Sequence, residues 1–300
     1  MNLWPYLRRY KLWEYNIALI PALLDSFVAN ELRLSEAVWL KHRYKDRMFE
    51  DPFILEVKGD RIEILAEELK YLFPAASLVK LTVSLKTFEL LERKVILRNG
   101  SHFSFPNIIR KEDMVYILPE NIASGSLNLY RYDVSRECCV FEKKLLNIPA
   151  SDPDIVYWNG SFWLFACKKG TDQQDLYLWK SEDIFGKYQP LDGILIKSNR
   201  RGSRMAGNFF EFNGKLYRPA QDCEGSYGAG IILQEVIALS ENNYVEKEVA
   251  ELYPVHVGYK DGIHTINFRS GWCVIDGLNK KSDSLRAVIR ILYKKMKIID

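Results

Sequence analysis

Residues 204–228 read RMAGNFFEFNGKLYRPAQDCEGSYG. Two short apolar runs, 208–212 and 215–218, meet at Asn213-Gly214, the dipeptide that most readily takes the positive φ angles of a two-residue hairpin turn. The stretch predicts a β-hairpin. Around and after its second strand come Arg218, Gln221, Asp222, Glu224 and Tyr227, more polar and charged groups than a core needs. They read as the rim of a site.

The same pattern of strand, polar or glycine turn, strand recurs at 53–65 (FILEVKGDRIEIL), 107–118 (NIIRKEDMVYIL), 154–165 (DIVYWNGSFWLF) and 263–275 (IHTINFRSGWCVI). Taking Asp51, Phe105, Asp152, Arg204 and His264 as starts, the repeats lie about fifty residues apart, the length of one four-stranded blade with some loop excess. The fold class this predicts is all-β, a five-bladed β-propeller with a partly helical N-terminal lead-in. Residues 1–48 form the lead-in, with helix over 30–40, and 49–283 form the propeller. Residues 284–300 (SLRAVIRILYKKMKIID) form a basic amphipathic segment that either closes the ring as a strand or makes peripheral contact with an anionic membrane.

Of 300 residues, 48% are hydrophobic and 13% aromatic, enough for a large core, while 27% charged residues make an ordinary solvated surface. A net charge of +3 and a pI near 8.4 are too mild for a nucleic-acid face, so no nucleic-acid partner is expected. The apolar run 17–24 is short, contains Pro21 and lacks a small-residue cleavage site. It reads neither as signal peptide nor as membrane span, which places the chain in the cytoplasm. Five cysteines without CxxC spacing read as small buried hydrophobes of a reducing compartment. Four scattered histidines give no ligand-spaced cluster, so no metal and no cofactor is expected.

Asp51-Pro52 and Asp152-Pro153 open two repeats at the same phase. Proline cannot donate to a ladder and belongs at a strand's start or edge, so both aspartates enter an innermost strand, facing the channel. The plainer alternative is a turn-forming Asp bonded to its own backbone. Glu120 follows Pro119 where a strand turns outward, and is a site residue or a solvated strand end. His264 is a site residue or a hydrogen-bonded channel residue; Asp276-Gly277 is a site element or a hairpin signal. Arg200, Arg201, Arg204 and Arg218 gather around the fourth repeat, and guanidinium forks match phosphate and carboxylate oxygens in bidentate fashion.

Taken together, 48–55 (MFEDPFIL), 116–133 (YILPENIASGSLNLYRYD), 151–165 (SDPDIVYWNGSFWLF), 204–228 and 262–277 (GIHTINFRSGWCVIDG) resemble the propeller module at the N-terminus of plant glucosamine inositolphosphorylceramide transferases and its bacterial relatives. That module is in turn similar to the five-bladed propellers of glycoside hydrolase family 43. The resemblance implies a carbohydrate site at one mouth of the channel. In the hydrolases three carboxylates perform inverting hydrolysis; Asp51 matches the base and Asp152 the modulator of the acid. The acid has no match, because Arg204-Met205-Ala206-Gly207 stands at the start of blade four, with Met205 in place of the proline expected there.

Inverting hydrolysis needs a base and a protonated acid roughly 6.5–9.5 Å apart, so Glu120, Asp222 and Glu224 are the candidate substitutes. The expectation is a carbohydrate-active protein of glycosyl transfer, as hydrolase, phosphorylase or glycosyltransferase, acting on a saccharide, sugar phosphate or nucleotide sugar. Asp51, Asp152, Glu120, Asp222 and Glu224 are its catalytic candidates. Arg204, Arg218, Gln221, Tyr227, His264 and Asp276 are its binding candidates. The alternative is a catalytically silent glycan-binding module that assists a partner glycosyltransferase. What separates the two is whether a second carboxylate faces Asp51 across the channel.

Overall fold

The computed structural model describes residues 11–22, 24–71, 75–254 and 258–282, and the basic segment 284–300 lies outside them. The chain begins with β1 (Lys11–Pro21), a five-residue helix α1 (Leu24–Val28), a 3-10 turn (Leu34–Glu36) and β2 (Val38–Trp39). Four sheets follow in sequence. Blade one is β3 (Arg47–Lys58), β4 (Arg61–Lys70), β5 (Ser77–Ser84) and β6 (Leu90–Leu97). Blade two is β7 (Ser104–Lys111), β8 (Met114–Glu120), β9 (Leu127–Asp133) and β10 (Cys138–Leu146). Blade three is β11 (Ala150–Trp158), β12 (Ser161–Lys168), β13 (Asp175–Ser181) and β14 (Gln189–Ser198). Blade four is β15 (Arg201–Met205), β16 (Phe210–Phe212), β17 (Lys215–Asp222), β18 (Gly230–Ser240) and β19 (Asn243–Leu252).

The fifth sheet joins the two ends of the chain. Its order is β2, β1, β21 (Trp272–Ser282), β20 (Ile266–Arg269), so β1 is the third strand from the channel, paired along its whole length with β21. The lead-in therefore supplies two strands of the last blade; over 30–40, where a helix was expected, the chain forms only the 3-10 turn Leu34–Glu36 and then β2, and the short α1 precedes that stretch. The result is a five-bladed β-propeller. All five hairpins read from the sequence are present, at β3–β4, β7–β8, β11–β12, β16–β17 and β20–β21. Positive φ at both centres of Asn159-Gly160, Asn213-Gly214 and Ser270-Gly271 is what a two-residue turn between right-twisted strands requires.

Apolar faces of adjacent blades meet in wedges between the sheets. Between blades five and one, Ile17, Leu19 and Val274 pack on Ile54, Ile62, Ile64 and Leu81. Between blades two and three, Tyr116 and Leu118 pack on Leu164, Trp179 and Tyr188. Each such side chain contributes about 1.5–3 kcal/mol on full burial. Both faces of the inner strands are covered by neighbouring blades, as the unbroken burial of β5 shows, and the N-terminal ends of the innermost strands converge on one mouth of the channel.

Candidate functional site at the channel mouth

Three innermost strands open on the same irregularity. In β3, β7 and β11 the pairs Asp51-Pro52, Phe105-Pro106 and Asp152-Pro153 each oppose a single residue of the next strand, Ala66, Pro119 and Ala166, forming bulges. The bulge accommodates the missing proline N–H and puts the preceding residue at φ +51, +44 and +44. Positive φ in a non-glycine residue costs about 1–3 kcal/mol and persists only where surrounding bonds enforce it.

Those bonds come from the neighbouring blade. The Asp51 N–H donates to Asp276 Oδ2 (3.2 Å), the Phe105 N–H to Asp51 Oδ2 (2.9 Å) and the Asp152 N–H to Glu120 Oε2 (3.0 Å). A carboxylate from each preceding blade thus caps the N–H that a bulge frees. Asp276, which lies inside β21 rather than at a hairpin, also accepts from the His264 and Thr265 N–H groups through Oδ1.

Asp51 receives two further partners from blade five. Thr265 Oγ1 donates to Oδ1 at 2.6 Å, and His264 Nε2 lies 3.2 Å from the same oxygen. His264 Nδ1 stands 2.9 Å from Asp276 Oδ2, at ion-pair distance but off the line of a hydrogen bond. Burial alone would raise the Asp51 pKa; His264, Thr265 and the Phe105 N–H outweigh it and hold the carboxyl below its ordinary range. Burial alone would lower His264, but Asp276 and Asp51 drive it well above the usual imidazole value. Asp51, His264 and Asp276 offer donor atoms within 4.8 Å of one another. The trio was not foreseen among scattered histidines; its one imidazole and two carboxylates are a set that could hold a metal ion.

On the far side, Arg204 takes Asp152 in a bidentate grip, Nε to Oδ2 at 2.5 Å and Nη2 to Oδ1 at 3.2 Å, and its Nη1 reaches Asp172 Oδ2 at 2.8 Å. Gln221 Nε2 donates to the same Asp152 oxygen at 2.8 Å and to the Met205 carbonyl. Glu120 Oε2 lies 3.6 Å from Arg204 Nη2. Burial disfavours charge on Arg204, yet Asp152, Tyr227 and Glu120 hold it firmly protonated. Tyr227 covers the guanidinium at 5.0 Å from its ring centre and stands 5.4 Å from the His264 ring, linking the two halves of the mouth.

The structure therefore brings together Asp51, Glu120, Asp152, Arg204, Gln221, Tyr227, His264 and Asp276. It places three expected site residues elsewhere. Strand β17 runs on to Asp222, so Arg218 lies inside a sheet, wholly buried and bound to Glu246 by two hydrogen bonds and to the Gly202 and Ser203 carbonyls. Asp222 is held by Arg201 and the Tyr253 hydroxyl, and Glu224 is exposed on the following turn. Of the arginines expected to meet phosphate, Arg201, Arg204 and Arg218 thus meet the chain's own carboxylates, and Arg200 meets the Cys223 carbonyl and the Gln173 side chain. Glu50, Glu67, His102 and Tyr15 border the mouth without having been singled out. Glu50 and the Glu67-Glu68 pair were visible as acids in otherwise apolar strands, whereas Tyr15 carries no local signal.

Comparison with known proteins accords with this fold. The family model described as glucosamine inositolphosphorylceramide transferase 1, N-terminal, matches residues 41–261. Glucosamine inositolphosphorylceramide transferase 1 of Oryza sativa subsp. japonica is 31% identical over 227 residues, 73% of this chain and 29% of its own. The protein of that name from Arabidopsis thaliana is 33% identical over 164 residues, 52% of this chain and 21% of its own. The chain spans less than a third of the length of these relatives. Among solved structures, a family 117 glycoside hydrolase of Zobellia galactanivorans superposes with a TM-score of 0.54 at 11% identity over 90% of each chain. An exo-beta-1,3-galactanase from Phanerochaete chrysosporium gives 0.51 at 12% identity, over 66% of this chain and 48% of that one. At such identities the likeness is one of fold. The match over residues 41–261 places the chain in the family of the N-terminal domain of glucosamine inositolphosphorylceramide transferase 1.

Proposed function

We propose that the channel mouth recognises a saccharide of glycan or glycolipid biosynthesis and holds it without hydrolysing it. The observation that carries this reading is the Arg204 fork on Asp152, at the position where the hydrolytic acid would enter. A proton donor cannot be supplied by a guanidinium that stays charged throughout the accessible pH range. Asp51 is engaged as well: its two oxygens accept from Phe105 and Thr265 and face His264, leaving little capacity to activate a water. What remains accessible is a partly exposed rim of Tyr227, Asp172, His102 and Glu120, an aromatic face among fixed polar groups, which suits a sugar ring. The relatives' name, glucosamine inositolphosphorylceramide transferase, supports a sugar or glycolipid as the molecule bound.

A second reading, glycosyl transfer by the chain itself, is favoured by one contrast. Glu50 is held well above the carboxylate range by burial and by Glu67, while its neighbour Asp51 is held below it, and carboxyls driven apart in this way are how acid and base roles are divided. Titration of a saccharide panel by NMR, with reducing sugar assayed in parallel, separates the two. The expected result is binding without release of sugar, weakened about tenfold by Tyr227→Ala at an unchanged melting temperature. Release of sugar that disappears in Asp51→Asn would select the second reading and sink the first.

A further inference from the structure

The opposite mouth of the channel holds two arginines that the saccharide reading does not use. Strands β3, β7 and β20 are the innermost of blades one, two and five, and their C-terminal ends lie at that mouth. Arg110, next to the end of β7, reaches across to blade one, where its Nη2 donates to the Ile54 and Leu55 carbonyls at 3.2 and 2.7 Å. Arg269 ends β20. By strand alternation it shares a face with Asn267, whose Nδ2 donates to the Pro52 carbonyl of β3 at 2.8 Å. Two guanidiniums thus come to one stretch of β3 from opposite sides. Neither forms an ion pair with a described residue, and Glu56, whose charge acts on Arg110, is taken by Lys58 at 2.6 Å. Although Arg110 is exposed as a whole residue, desolvation of its guanidinium and the Arg269 charge bring it down to about 10.

A cavity of about 320 Å³ opens beside Arg269, walled by Leu24, Phe212, Phe268 and Trp272, with Asp25 also in its lining. The aromatic wall is held from behind. Phe268 stacks on Phe27 with ring centres 5.5 Å apart and meets Phe210 edge-on at 6.0 Å. The Asp25 carboxylate accepts from the Ser26 N–H at 2.8 Å and offsets one of the two guanidinium charges, which leaves one over. An apolar cavity with surplus positive charge at its edge complements an apolar body that ends in a single negative charge. A carboxylate meets a guanidinium fork in bidentate fashion and carries that one charge, whereas a phosphate monoester brings nearly two.

We propose that this mouth is a second binding site, for an aliphatic carboxylate such as a free acyl chain, with the carboxylate between Arg110 and Arg269 and the chain along Phe212, Phe268 and Trp272. The site shares no residue with the saccharide mouth. Its test and that of the saccharide reading therefore stand or fall separately.

The test is calorimetric titration of the full chain at neutral pH with octanoate, acetate, octanol, octylamine and octyl phosphate. Octanoate is expected to bind at least about tenfold more tightly than each of the other four. Arg269→Gln, a change on an exposed side chain, is expected to bring octanoate to the affinity of octanol at an unchanged melting temperature. Octanol or octylamine binding as tightly as octanoate would mean that the guanidiniums play no part, and acetate binding as tightly would remove the cavity. Tighter binding of octyl phosphate would change the class of anion. Each of these results overturns the proposal, as does a failure of octanoate to bind. A folded Arg269→Gln protein that takes octanoate like the wild type would place the molecule elsewhere and overturn it too. Because the wild-type panel decides first, a variant that fails to fold does not rescue the proposal.

Discussion

Arg204 and Arg218 show how one residue type at short spacing serves two ends. Arg204 closes one side of the mouth by neutralising Asp152, whereas Arg218 is fully buried inside blade four and never reaches the channel. Its fork meets Glu246 at 2.8 and 2.9 Å, and burial notwithstanding, that guanidinium and Lys197 hold the Glu246 carboxyl down to about 2. Removing one partner of such a pair leaves the other charge buried and alone, which costs about 3–5 kcal/mol. Arg218→Ala is therefore expected to lower the melting temperature by roughly 10 °C while the affinity for saccharide in the remaining folded protein holds. A variant that melts like the wild type but binds more weakly would return Arg218 to the ligand. Residue type and spacing alone could not separate the two arginines, since the difference lies in which strand each belongs to and what faces it from blades three and four.

At the scale of the strand, the blades are tied twice around the channel. The upper tie is the set of bulge N–H groups capped by Asp276, Asp51 and Glu120. Deeper, Asn107 donates to Asp154, Asp154 accepts from the Phe209 N–H, the Asn208 N–H donates to Asn267, and Asn267 donates to the Pro52 carbonyl, which joins all five innermost strands. Asp154 is wholly buried, and burial pushes it up to about 7 against the opposing hydrogen bonds. Its folded pKa lies above the unfolded one, so the folded state holds an extra proton between about pH 4 and pH 7 and loses stability as pH rises through that window. The wild type should lose roughly 3 kcal/mol across this window relative to Asp154→Asn, measured by urea unfolding at several pH values. Parallel curves for the two proteins would mean that Asp154 is charged throughout. Much of this level was legible in the sequence: Asn-Gly and Ser-Gly turns fix the hairpins locally, and repeated X-Pro steps mark the bulges. Their hydrogen-bond partners were not, because Asp152 meets Arg204 and Asp51 meets His264 only after whole blades have folded between them.

The ring as a whole depends on its first strand. Local reading assigns residues 11–21 to a lead-in, since nothing within reach shows that this apolar strand pairs with β21, more than 250 residues downstream in sequence. Yet β1 is an interior strand of blade five, with Ala18 opposite both Ile275 and Trp39, and it carries Ile17 and Leu19 into the wedge against blade one and Tyr15 to the mouth. A closed ring has no free blade faces, so loosening one blade exposes apolar wedges on both its sides and weakens the whole. Proline at an interior strand position removes a ladder bond and forces the chain out of line, at about 3 kcal/mol or more. Ala18→Pro is accordingly expected to destabilise the propeller globally, with tryptophan fluorescence and far-ultraviolet circular dichroism shifting together to a lower single transition. If closure were secondary, the variant would keep the wild-type transition and show only a local change near Trp39 and Trp272.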